Sequence, residues 1–82
     1  MTAKYQGAAL IPRFFFDVSN SEETIPDEEG VEAADLNEAL SEARSVIAEM
    51  AAAVIEADPG RSWTLIVRDE AGSAVGRIPI KR

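Results

Sequence analysis

The chain contains no histidine and no cysteine. Without cysteine it can form no disulfide, no thiolate nucleophile and no cysteine-held zinc or iron–sulfur centre. Without histidine it lacks the usual general base near neutral pH and the commonest transition-metal ligand. Basic residues are few as well: 8 lysines and arginines face 15 acids, for a formal charge of -7. Nucleic-acid binders neutralise phosphates with cationic side chains, so this balance argues against that partner. Long apolar runs are also lacking. Beyond the amino terminus no uncharged stretch is longer than residues 50–55, far short of the roughly 20 apolar residues of a membrane-spanning helix. The first eleven residues have no apolar core of the kind a secretion signal needs. The expectation is a cytoplasmic protein with no membrane partner.

What is present bounds the answer further. Eighty-two residues hold one small domain, and a 46% hydrophobic share is ordinary for a folded chain rather than a disordered one. The charges are uneven. Residues 1–16 carry +2, residues 17–32 carry -7 with no base at all, residues 33–60 carry -5, and residues 61–82 carry +3. Patches of opposite sign steer association between copies or neutralise one another within a fold.

Residues 1–11 show no periodicity and read as a flexible extension, with a single domain over 12–82. Residues 11–18 read as a strand, with Phe14, Phe16 and Val18 on one face and Arg13, Phe15 and Asp17 on the other. After the turn residues Ser19-Asn20-Ser21, Glu23-Thr24-Ile25 returns as a short strand ended by Pro26, and Val31-Glu32 resumes an extended path. Asp35, with Glu38 three residues later, is a capping-box-like helix start. Leu36, Leu40, Ala43, Ile47, Met50, Val54 and Ala57 then recur at alternating spacings of four and three, which predicts a helix over residues 36–57. Glu42, Glu49 and Glu56 follow one another every seven residues on the opposite side, and Asp58-Pro59-Gly60 stops the helix. Residues 63–67 and 75–80 form a hairpin around Gly72, with Pro79 marking an edge. The expected fold is α+β: an antiparallel sheet of three to four strands with one helix packed on one face, in the order ββαββ.

One helix covers one face of a sheet, yet Phe15, Ile66 and Val75 point to the other, with Arg68 and Arg77 at its margin. Open antiparallel faces are usually polar, and a core of this size supplies little stability alone. The residues therefore suggest a homodimer or other self-association through that face.

The acidic loop offers Glu22, Glu23, Asp27, Glu28 and Glu29 to a basic protein partner or, more weakly, to a divalent cation. A calcium-loop template starting at Asp17 fails, because Glu22 occupies the position that needs glycine and strands flank the loop. The seryl and threonyl hydroxyls have no histidine to activate them, and no phosphate-binding glycine run is present. No enzyme, cofactor or metal is expected.

The segments Pro12-Arg13-Phe14-Phe15-Phe16-Asp17-Val18, Pro26-Asp27-Glu28-Glu29-Gly30-Val31-Glu32, Asp35-Leu36 and Val67-Arg68-Asp69-Glu70-Ala71-Gly72 stand in the order and spacing of a family of small, uncharacterised bacterial proteins defined as a domain of unknown function. The chain resembles that family over about residues 12–80. Gly76 departs from the larger apolar residue usual at its position. The resemblance implies a small bacterial domain and supplies no activity or catalytic residue. The functional expectation is thus a non-enzymatic interaction or self-associating domain, with an acidic antitoxin- or inhibitor-like regulator as the alternative.

Overall fold

A computed structural model describes residues 11–81; of the proposed extension over residues 1–11, residues 1–10 lie outside them. The elements are β1 (Arg13–Ser19), β2 (Thr24–Ile25), β3 (Val31–Glu32), α1 (Leu36–Ala57), β4 (Thr64–Arg68) and β5 (Ala74–Pro79). All pairings are antiparallel, in the order β2-β1-β4-β5, with β3 pairing β1 beside β2. Among the described residues the fold is α+β with one helix, and five strand segments stand where three to four were expected, because Val31-Glu32 pairs as a strand of its own.

β2 and β3 behave as two ends of one interrupted edge strand. Ile25 stands opposite Val18 and Val31 opposite Phe14. Residues 15–17 of β1 are therefore faced by residues 26–30, two more than a regular ladder accommodates, and the excess loops outward. Gly30 closes this excursion with φ +73°, a left-handed conformation that glycine adopts without steric cost.

The helix has the bounds its periodicity requires. The Asp35 side chain accepts the Glu38 amide at 2.9 Å, satisfying one of the donors a helix start leaves unpaired, and Glu38 Oε1 reaches back to accept the Ala34 amide at 2.7 Å, tying the residue before the cap to the first turn. Its deepest residues are Ala39, Ala43, Ile47 and Ala51, a line slightly rotated from the expected stripe. Small side chains at the closest approach set the helix down near the sheet, while Leu36, Leu40, Val46, Val54 and Ile55 pack on its flanks and Ala57 is exposed. The close approach explains Gly76: a Cβ there would lie 3.0 Å from the Leu40 side chain.

Phe14, Phe16, Leu65, Val67 and Ile80 meet this helix in the core, with Leu65 and Val67 completely enclosed. Val75 departs from expectation. Arg68 pairs with Ala74 and Val67 with Gly76, so Val75 is the extra residue of a bulge. It packs against the core cluster instead of standing on the open face.

The sheet edges are blunted. The Ile80 amide donates to the Trp63 carbonyl at 2.9 Å, and alternation along the strand then turns Pro79 outward. Proline has no amide to offer a further strand, and the opposite edge is broken into two-residue pieces; both features discourage sheet extension. Among the described residues no helix is long and apolar enough to cross a membrane.

The two glycines with positive φ differ in surroundings. A Cβ on Gly72 (φ +89°) would meet nothing within 4 Å, whereas one on Gly30 would come within 2.7 Å of the Phe14 carbonyl oxygen and 2.9 Å of the Phe15 ring. Gly72→Ala is expected to cost about 1–2 kcal/mol, the penalty for an L side chain in the left-handed region. Gly30→Ala should cost clearly more, and urea unfolding of both variants checks the order.

Candidate functional site

Two aspartates hold the interrupted edge in place. Where β1 has no strand partner, the Phe16 amide donates instead to Asp27 Oδ2 at 3.0 Å. Asp27 Oδ1 accepts the amides of Glu29 at 3.1 Å and Gly30 at 3.0 Å. The amide of Asp27 itself donates to Asp17 Oδ1 at 2.9 Å. Side-chain carboxylates thus take over the ladder bonds the excursion removes, which leaves few amides in the gap unpaired.

Asp17 is only 7% exposed, and a buried carboxylate is costly unless paired. Arg68 supplies the pair in bidentate form, Nε at 2.6 Å and Nη2 at 3.2 Å. The same guanidinium lies 5.2 Å from the centroid of the Phe15 ring, a cation–π arrangement. Phe15 and Arg68 are cross-strand partners, and Asp17 is opposite Ile66, itself opposite Arg77. Of the three residues expected on the open face, Phe15 and Ile66 share it by register, with Arg68 opposite Phe15 and Arg77 opposite Ile66. The face is not bare, however: Phe15 and Ile66 are half-buried, and Arg68 already shields the aromatic ring.

The hydrogen bond from Arg68 holds the Asp17 carboxyl below its ordinary value, against the opposing pull of burial. Burial alone would raise the Asp27 carboxyl, but the amides of Phe16, Gly30 and Glu29 outweigh it and bring it down. Arg68 is correspondingly raised by Asp17.

The acidic set divides. Asp27 is structural, with both carboxylate oxygens engaged by amides. Glu22 pairs with Arg61 at 2.7 Å, and Arg61 also holds Asp58 at 2.8 Å. Glu23, Glu28 and Glu29 are exposed. No three acids converge on a point that suits a metal ion among the described residues.

Sequence patterning does not assemble the feature on the other side of the sheet. A helix about 10 Å across spans two strands spaced about 4.8 Å apart. Here α1 lies chiefly over β4 and β5, so the β1–β2 flank is left partly uncovered. A groove runs there between the helix and the pinned excursion. One end, about 340 Å³, is lined by Val18, Ile25, Met50, Ala53, Val54, Ala57 and Trp63. The adjoining end, about 360 Å³, shares Val18, Ile25 and Met50 and continues over Phe16 and Leu65, with Val31 and Val46 on its walls and Glu29 and Gly30 at its margin. Ile25 is 56% exposed, one of two large apolar side chains so open among the described residues. The Trp63 Nε1–H is buried with no acceptor among the described residues. Ile25 carried a signal in the sequence, an isoleucine trapped between Thr24 and Pro26, but its neighbours in the groove are distant in the chain.

Because both aspartates titrate below their ordinary 3.8 when folded, the stability they contribute is complete above that pH and is lost as pH falls below it. Asp27→Asn puts an amide nitrogen against backbone donors and should cost roughly 1–3 kcal/mol at pH 7. The difference from the parent should narrow as pH drops through the region below 3.8. Urea unfolding across that range checks this; a difference independent of pH would show that the carboxylate charge is not what pins the loop.

Residues 13–81 match the domain of unknown function DUF6894. No curated protein and no solved structure matches the chain. The matched stretch runs from the start of β1 through the last strand, taking in every element of the fold, and the chain therefore belongs to the DUF6894 family.

Proposed function

We propose that this domain is a non-enzymatic protein-interaction module whose docking surface is the groove between α1 and the β2–β3 edge. The observation that carries the reading is the continuous apolar hollow lined by Val18, Ile25, Met50, Ala53, Val54 and Trp63, with Ile25 open to solvent. Exposed apolar patches of this kind mark interaction sites, and a tryptophan in a concave apolar surface is a common energetic anchor.

This moves the contact surface from the sheet face first suggested by Phe15 and Ile66. That face has an internal solution in the Asp17–Arg68 pair and the stacked Phe15 ring. The blunted edges disfavour strand addition. The groove has no such internal solution among the described residues.

A photo-crosslinking amino acid placed at exposed Ala53 tests the reading in cells, with one at Ile66 on the opposite face as the comparison. Adducts are expected from position 53 and not from position 66, and an adduct of twice the chain mass would identify self-association. Adducts from position 66 alone, or from neither, would remove the groove as the docking surface.

A further inference from the structure

Resting on the groove as the docking surface, we infer that its occupant is a short amphipathic helix of another protein, with an apolar strip flanked by lysine or arginine. Three observations converge on this chemistry.

The first is charge at the rims. Glu42 is four residues before Val46, and Glu49 is three after Val46 and four before Ala53. At these spacings helix side chains are neighbours, so both exposed glutamates crown the helical wall. Arg44, the helix's one base, has no groove-lining residue at such a spacing. The opposite wall presents exposed Glu29 at the groove margin, and the nearby Arg13 is committed to the Glu29 carbonyl and the Glu32 carboxylate. Arg61, near the Trp63 end, is bonded to Glu22 and Asp58. An apolar trough between two acidic rims is complementary to a strip of apolar side chains between two basic rows.

The second is backbone chemistry. An extended segment needs a strand edge to satisfy its amides and carbonyls, and the edge beside the groove is only Thr24–Ile25 long before Pro26 ends it. A helix satisfies its own backbone and needs only side-chain complementarity. The lining from Val46 to Ala57 runs about 16 Å at 1.5 Å per residue, room for about three turns of a docked helix.

The third concerns the competing occupant. A second copy brings a net charge of -7 to a surface already rimmed with acid, and like-charge juxtaposition opposes association.

Trp63 is the chain's one tryptophan and lines the groove, so its fluorescence reports occupancy directly. The probes are three synthetic amphipathic peptides of about 14 residues, long enough to fill the groove. They share a leucine–alanine face and carry lysine, glutamine or glutamate on the polar face. At about 20 mM salt the lysine peptide should bind at least about tenfold more tightly than the glutamine peptide, and that advantage should shrink at about 0.5 M salt. The glutamate peptide should bind weakest. The double variant Glu42→Gln/Glu49→Gln should lose most of the lysine preference, whereas Ile25→Ser, at an exposed position, should weaken lysine and glutamine peptides alike.

Equal binding of the lysine and glutamine peptides at low salt, sensitive to Ile25→Ser, would overturn the cationic partner while leaving the groove as the docking surface. So would a concentration-dependent dimer in sedimentation that Ile25→Ser abolishes. If none of the peptides perturbs Trp63 and no adduct forms from position 53, the groove itself falls.

Discussion

Two carboxylates opposite a gap in a strand ladder are the constraint on which the rest of this small domain depends. β1 is the central organiser of the sheet, yet its middle has no regular partner on one side. Asp27 accepts the Phe16 amide there, and Asp17 accepts the Asp27 amide. Each substitutes a side-chain oxygen for a missing strand carbonyl, so the chain can leave the sheet and return with few amides unpaired. Burying that much negative charge demands compensation, which Arg68 provides from β4. The pair thereby couples the edge excursion to the second hairpin, 51 residues away along the chain.

The consequence for function lies on the opposite side of the sheet. A pinned excursion forms one wall of a trough whose other wall is α1, and the trough exists because one helix is too narrow to cover four strands in a row. The alanines at Ala39, Ala43 and Ala51 let the helix sit close over β4 and β5, which increases the core but draws the helix away from β1 and β2. The same geometry that closes the core on one flank leaves Ile25, Met50 and Ala53 uncovered on the other. In the proposed reading, the acidic side chains beside this apolar surface select a partner of opposite charge over a second copy.

Much of the architecture was legible in local pattern. The helix bounds follow from Asp35, Glu38 and the Asp58-Pro59-Gly60 stop, and Pro79 correctly marks an edge. The two faces of β1 and β4 were assigned correctly because a period of two leaves little freedom. Val75 was misplaced because a bulge shifts register by one residue, and no local signal in 74–77 distinguishes a bulged strand from a regular one. Asp27 read as one more solvated acid among Glu28 and Glu29. Its role depends on three amides, one of them on another strand, and composition cannot show which acid meets them. The groove was invisible for a similar reason: Val18, Ile25, Met50 and Trp63 become neighbours only when the helix settles over one flank of the sheet.

By itself the sequence determined the parts: an acidic α+β domain, its capped helix, its hairpin, and the lack of residues for histidine or cysteine chemistry. These are consequences of short-range periodicity, capping and side-chain inventory, all of which act within a few residues of the chain. Tertiary structure alone decided which acids became structural and which stayed exposed, that Arg68 would be committed to Asp17 and Phe15, and that the unsatisfied apolar surface would be a groove beside the helix and not the open sheet. Those outcomes depend on where a rigid helix of fixed width comes to rest on a sheet of several strands, a distance that no local pattern encodes.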